Sequence, residues 1–261
     1  MVPPVKTVLT IAASDPSGGA GIQADLRAVT AHGLYGMAVP TALTVQNTLG
    51  VTGVLVLEPD FLARQLEAVL SDIRPDAVKI GAMPGAEHAR VTADLLRKFG
   101  IENVVFDPVL ASTSGAALGT VEAVAILAPL VSLLTPNLPE AAKLLGCSLV
   151  EIASPDDIES AARNLVAKFH TAILLKGGHR TDGSFDDFFH PVEGEGEWLQ
   201  TRTAPSCGNH GTGCLLSSSI ACGLASGLPM LESIRRAKER LSDALARGLS
   251  LGHGNSPVDF R

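Results

Sequence analysis

The sequence predicts an open α/β fold: a mostly parallel sheet flanked by crossover helices, with a small antiparallel hairpin at one edge. Two observations carry this. Short runs rich in β-branched residues alternate with longer segments of helical period. The loop after almost every run is Gly-rich or holds Asp, Asn, Gln or Lys. The 261 residues, 46% hydrophobic, suffice for one such unit. No repeat, low-complexity tract or Pro/Ser-rich linker marks a boundary, so residues 1–261 are expected to form a single domain.

The first strand is "TVLTIAA", residues 7–13. Its apolar run is short for a signal-peptide core, and two prolines precede it. Ile22, Leu26 and Val29 then fall on one face of a helix. "MAVPTALTVQ" (37–46) is the second strand, followed by a helix carrying Leu62, Leu66, Val69, Leu70 and Ile73 on one side. "AVKI", "NVVFDP", "SLLTP" and "AILLKGG" are further strands. The apolar stretch 121–134 contains a glutamate and a proline and is too short to span a bilayer. Two strand-like pieces around a Gly/Glu turn in 185–203 form the expected edge hairpin, and long helices beginning near Gly211 and Met230 close the chain.

Composition narrows the partners. A net charge of −7, a pI near 5.5 and no run of Lys or Arg argue against nucleic acid or an anionic membrane and favour a small molecule. The four cysteines, Cys147, Cys207, Cys214 and Cys222, have no CxxC and no framework spacing. Neither a disulfide scaffold nor structural zinc is expected, which fits a reducing compartment.

Ligands of open α/β sheets sit beyond the carboxyl ends of the strands. "GAGIQA" (19–24) matches a dinucleotide fingerprint, but the second strand ends in Gln46 and Asn47 where that fold needs an acid, and no P-loop motif occurs. "HGTGC" opens a small-residue helix whose first N–H groups, from Gly211, Thr212, Gly213 and Cys214, would favour an anion; a plain glycine-rich cap, with Cys214 as a small apolar residue, is the competing reading. Asp107 and Glu140 have the chemistry to hold Mg²⁺ and Lys176 to meet phosphate, although a turn, a helix capped by Asn137 and a solvated lysine explain each one separately.

Taken in order, "TIAASDPSGGAGIQADL", "QNTLGV", "VKIGAM", "DPV", "TPNLPEA", "LLKGGH", "HGTGC" and "SLGHGNSPV" resemble the hydroxymethylpyrimidine/phosphomethylpyrimidine kinases of thiamin biosynthesis. The resemblance implies a three-layer α/β/α ribokinase-like fold. It also implies ATP-dependent, Mg²⁺-dependent phosphorylation of 4-amino-5-hydroxymethyl-2-methylpyrimidine, then of its monophosphate, at one site. Gln46 would meet the pyrimidine edge, with Asp25, Ala82 and Val109 lining that pocket. Gly211 and Gly213 would form the anion hole, and Lys176, Asn137 and Thr212 would face ATP. Asp107 and Glu140 would be the metal-linked acids. Cys214 stands where most ribokinase-like enzymes keep an aspartate base, and a helix N-terminus lowers a thiol from about 8.5, so a thiolate base is expected. A cytoplasmic homodimer is the implied setting.

Three positions depart from the family pattern. Gly208 replaces an asparagine, Leu215 a threonine, and Ala82 a frequent methionine, which widens the expected pyrimidine pocket. Two other readings follow: a pyridoxal or pyridoxine kinase of the same fold, and a non-catalytic pyrimidine-binding module.

Overall fold

A computed structural model describes residues 5–112, 114–178, 186–200 and 210–260. Nine strands form one sheet in the order β3-β2-β1-β4-β5-β6-β7-β8-β9. They are β1 (Thr7–Ser14), β2 (Tyr35–Asn47), β3 (Gly50–Val56), β4 (Ala77–Ile80), β5 (Val104–Phe106), β6 (Leu133–Leu134), β7 (Ala172–Leu175), β8 (Asp187–His190) and β9 (Glu197–Leu199). The six central strands β2, β1, β4, β5, β6 and β7 pair in parallel, and β3, β8 and β9 add antiparallel pairs at the two edges. The helices are α1 (Gly21–Ala31), α2 (Pro59–Asp72), α3 (Ala86–Lys98), α4 (Val121–Leu127), α5 (Leu138–Leu145), α6 (Pro155–Phe169), α7 (Thr212–Ala225) and α8 (Met230–Arg247).

Strand periodicity sorts the side chains into two apolar layers. Leu9, Ile11, Val78, Ile80, Val104 and Phe106 face one way, onto α2 to α6. Val8, Ala77, Val105 and Leu133 face the other, where α7 contributes Leu216 and Ile220, and α8 contributes Ile234. Helices therefore cover both faces of the sheet, as expected. The same alternation turns Lys79, between Val78 and Ile80, toward α7. Strand order reverses at β1, whose neighbours are β2 and β4. The crevice of a doubly wound sheet opens at such a switch point.

Three expectations need correction. The element after β2 is a strand rather than a helix. Gly50 and Gly53 hide β3, since glycine contributes no side-chain alternation, and its structure comes from pairing with β2. The buried face of α1 is Ala24, Asp25, Ala28 and Val29 instead of Ile22, Leu26 and Val29, because small residues let α1 approach α7 closely. Ile73 caps α2 from outside the helix, so the buried stripe is Leu62, Leu66 and Leu70. The edge hairpin forms as β8 and β9. Residues 201–203 of its expected span, together with Phe185, Cys207 and Gly208, lie outside the described residues.

Candidate active site

The loops after β1, β4, β5 and β7 and the start of α7 surround a cleft of about 570 Å³. Asp107 directly follows β5 and Lys176 directly follows β7, and the two meet: Lys176 Nζ donates to Asp107 Oδ1 at 2.6 Å. Thr135 Oγ1 donates to the same oxygen at 3.3 Å. Burial alone would lower the Lys176 pKa, but the charges of Asp107 and Glu140 outweigh it and hold the ammonium above its ordinary value. Gly213 presses against this pair: a Cβ there would lie 3.1 Å from Asp107 Oδ2 and 3.4 Å from Lys176 Nζ. A larger residue would separate the helix start from the cation.

Asn137 and Glu140 form a reciprocal cap on α5. Asn137 Oδ1 accepts from the Glu140 N–H at 2.8 Å, and Glu140 Oε2 accepts from the Asn137 N–H at 2.8 Å. The cap holds both residues on the cleft wall beside Lys143. Burial, opposed by Lys176 and reinforced by Asp107, pushes Glu140 up to about 7. A carboxyl whose folded pKa lies above its unfolded one stabilises the fold below about 4.5 and loses that contribution as pH rises through 7. Glu140→Gln keeps the cap acceptor and removes the charge. We expect it to raise the melting temperature of the ligand-free protein at pH 8 but not at pH 5, read by calorimetry at both pH values.

The start of α7 is shaped by glycine. Gly211 sits at φ +86°, and a Cβ there would fall 2.0 Å from the carbonyl oxygen of Gly19. Only glycine allows that contact in that conformation. The first intrahelical bond runs from the Leu215 N–H to the Gly211 carbonyl at 2.9 Å, so the N–H groups of Thr212, Gly213 and Cys214 belong to the open first turn. All four residues from Gly211 to Cys214 line the cleft. Leu215 does not; it is buried with Ala24, Ala28 and Phe260, which explains an apolar residue in place of a threonine.

The Cys214 thiol is not depressed. Burial pushes it up to about 11; Lys79 and an N–H from Gly21 pull it down, but Asp25 and Asp107 push with the burial. The sequence argument weighed the helix end and missed the desolvation and the two carboxylates. Beneath the thiol lies a buried network that sequence reasoning did not assemble. Lys79 Nζ lies 2.8 Å from both Asp25 oxygens, and Asp25 also accepts from Thr10 Oγ1 at 2.5 Å and Ser218 Oγ at 2.8 Å. Asp25 is fully buried in this network and so lies below the pocket, whereas Lys79 lines it. The available clue was a lysine inside a four-residue strand that is otherwise apolar.

Gln46 lies at a register shift between β2 and β3, a bulge that redirects its side chain into the cleft. Its Oε1 lies 3.0 Å from Thr44 Oγ1 and its Nε2 lies 3.3 Å from His210 Nε2. His210 Nε2 is also 3.2 Å from Asp15 Oδ2. Asp15 accepts from the Ser17 N–H and hydroxyl and from the Ala20 N–H. Burial raises the Asp15 pKa, but His210, Ser17 and Ala20 together hold it below the usual carboxylate range. Asp15 and His210 stand in quoted motifs, yet no spacing rule joins residues so far apart in sequence. Ala82 and Val109 pack with Ala13, Ala42 and Leu118 as a small apolar wall of the cleft.

A family model described as phosphomethylpyrimidine kinase matches residues 15–259. The chain belongs to that family. Among its relatives, the hydroxymethylpyrimidine/phosphomethylpyrimidine kinase of Escherichia coli is 43% identical across 96% of this chain and 95% of that protein. The bifunctional thiamine biosynthesis protein ThiED of Geobacter sulfurreducens is 42% identical, with this chain spanning about half of it (52%). The solved phosphomethylpyrimidine kinase of Clostridium difficile superposes with a TM-score of 0.79 at 37% identity, over 92% of this chain and 99% of that one. A Staphylococcus aureus pyridoxal kinase in complex with AMP-PCP and pyridoxal reaches 0.89 at 31% identity, over 98% and 94%. These likenesses confirm the ribokinase-like architecture of this phosphomethylpyrimidine kinase family member.

Proposed function

We propose that this chain transfers the γ-phosphoryl group of ATP to the hydroxymethyl oxygen of 4-amino-5-hydroxymethyl-2-methylpyrimidine, and then phosphorylates the resulting monophosphate in the same cleft. One observation carries the reading: a carboxamide suited to an aminopyrimidine edge, Gln46, shares a single cleft with a glycine-built helix start and the Lys176–Asp107 pair. The kinase names of the relatives set the non-catalytic binding module aside. The first test follows phosphorus: ³¹P NMR of the protein with Mg-ATP and the pyrimidine should show a monophosphate that converts to a diphosphate, and accumulation of neither would refute the reading.

Lys176 and the first N–H groups of α7 would hold the phosphoryl oxygens as charge spreads over them in transfer. Among the described residues no cluster of three or more His, Cys, Asp or Glu is poised to hold a metal alone. Mg²⁺ in phosphoryl-transfer sites needs only one or two carboxylates besides the nucleotide. Asp107 and Glu140 fit, since their buried negative charge exceeds what Lys176 neutralises, and a bound Mg²⁺ would supply charge neutralisation for the phosphates. Asn137 and Thr212 would stand on the nucleotide side.

Burial and the carboxylates of Asp25 and Asp107 keep the resting thiol protonated at pH 7. The resting Cys214 therefore serves as a hydrogen-bonding group beside the acceptor hydroxyl, not as a standing thiolate base. Cys214→Ala should slow the first transfer about tenfold, less than the 10²–10⁴ of a full general base. The second transfer should stay within about twofold, since its acceptor is already a phosphate. Separate kcat values for the two acceptors test this; equal losses would contradict it.

A pyridoxal kinase is the second reading, favoured by the higher TM-score of the Staphylococcus aureus enzyme. That score compares backbones, while the greater identity lies with the pyrimidine kinases. We place the chain as a single catalytic domain, supported by its one continuous sheet. The β2–β3 hairpin exposes Leu43, Val45 and Leu55 on one face, an apolar patch that a second copy would cover in a homodimer. Sedimentation at micromolar concentration should give twice the 27.0 kDa chain mass. We place the protein in the cytoplasm, the setting that its proposed metabolic role implies; no described helix is long and apolar enough to cross a membrane.

A further inference from the structure

We infer that His210 is a positioning residue that fixes which end of the Gln46 carboxamide faces the acceptor ring, and so sets selectivity between acceptors. The inference deepens the pyrimidine kinase reading and rests on it. It begins with two hydrogen-bond conflicts around one side chain. Thr44 Oγ1 lies 2.9 Å from the carbonyl oxygen of Ser14 and 3.0 Å from Gln46 Oε1, both of which only accept, yet a hydroxyl has one hydrogen. His210 Nε2 lies 3.2 Å from Asp15 Oδ2, an acceptor, and 3.3 Å from Gln46 Nε2, a donor. An imidazole nitrogen carries either a hydrogen or a lone pair, so it cannot serve both.

One rearrangement resolves both conflicts. The two ends of a carboxamide are told apart by their partners. With the Gln46 amide turned over, its NH₂ donates to Thr44 Oγ1, whose own hydrogen goes to the Ser14 carbonyl. The Gln46 oxygen then faces His210, and one Nε2–H is shared between it and Asp15. Every group in the chain from Ser14 to Asp15 is satisfied. Asp15 cannot reverse the order, because Ser17 and Ala20 already donate to it and an ionised carboxylate has nothing to give back. The imidazole is held from behind as well: a Cβ on Gly19 would sit 2.3 Å from His210 Cδ2, and the His210 backbone bonds Ser256 and Val258.

The consequence is a fixed pattern at the cleft. The second N–H of Gln46 and the remaining lone pair of its oxygen are presented together, in one order. An acceptor ring carrying a nitrogen beside an amino group matches this with two hydrogen bonds. Pyridoxal, whose hydroxyl and ring nitrogen are separated by the methyl-bearing carbon, offers no such adjacent pair and keeps only one of them.

The test needs no substrate for its first arm. In ¹⁵N-labelled protein near pH 7.5, the His210 ring signals, assigned by their loss in His210→Gln, should show a protonated Nε2; a bare Nε2 overturns the inference. The second arm compares acceptors in steady state. His210→Leu and Thr44→Val, which break the chain at opposite ends, should each raise the KM for the pyrimidine about tenfold and shrink its preference over pyridoxal, while the KM for ATP holds. His210→Gln, whose amide N–H groups reach toward the same two partners, should restore the preference. Equal KM increases for both acceptors, or no rescue by glutamine, overturn it. Failure of the wild type on the pyrimidine would sink the functional reading, while the ring-nitrogen arm would still decide the network.

Discussion

Lys79→Met should destabilise the protein by about 3–5 kcal/mol, the cost of leaving a buried charge without its partner. Lys79 is 1% exposed and Asp25 0%, so neither can turn to water. That loss is a large part of the roughly 5–15 kcal/mol that holds a typical domain folded. Adding Asp25→Asn should recover most of it, because the charge is gone and the carboxamide keeps both contacts, its oxygen accepting from one of the Thr10 and Ser218 hydroxyls and its NH₂ donating to the other. Burial would depress the Lys79 pKa, but Asp25, Cys214 and Asp107 raise it above 10.5. For a raised lysine the stabilisation is complete below the unfolded pKa and is lost only as pH climbs through the folded one. The deficit in urea midpoint should therefore not shrink between about pH 6 and pH 9. A deficit under about 1 kcal/mol would mean that water reaches Asp25.

Lys176→Ala should lower kcat for both transfers by about 10²–10³, the usual loss when one preorganised group facing developing charge is removed. Both steps move the same phosphoryl group from the same donor, so the losses should match, in contrast to Cys214→Ala. Removing the ammonium also leaves Asp107 and Glu140 facing each other without a cation between them, so affinity for nucleotide should fall with kcat. Lys176→Arg should rescue poorly, because a planar fork does not replace a compact ammonium wedged 2.6 Å from Asp107 Oδ1 and close under Gly213. A tenfold or smaller loss, or a loss confined to the first step, would contradict the assignment.

The strands that carry the site were legible in sequence because parallel strands are buried on both faces and read as short apolar runs ending at polar loops. Asp107, Lys176, Gln46 and the Gly211–Cys214 turn were found this way, and the structure brings them into one cleft. Asn137 and Glu140 show how two readings of one motif coexist: the helix cap that explains them locally is also what holds them against the cleft. Less legible were contacts made between distant elements. Asp25 reads as a pocket residue until α1 packs on α7 and Lys79 rises from β4 to meet it. His210 and Asp15 are 195 residues apart, and no periodicity joins them. The elevated Cys214 thiol follows from burial and from two carboxylates on other elements, where the helix end alone pointed the other way.

The central claim, that the acceptor is a hydroxymethylated aminopyrimidine, is tested most directly by kcat/KM for that pyrimidine and for pyridoxal, measured side by side as ADP release from Mg-ATP. The site described above predicts a ratio of at least about tenfold in favour of the pyrimidine, the worth of one added hydrogen bond to Gln46. A ratio of one or below would contradict it and make pyridoxal the acceptor that the pocket beside Ala82 selects.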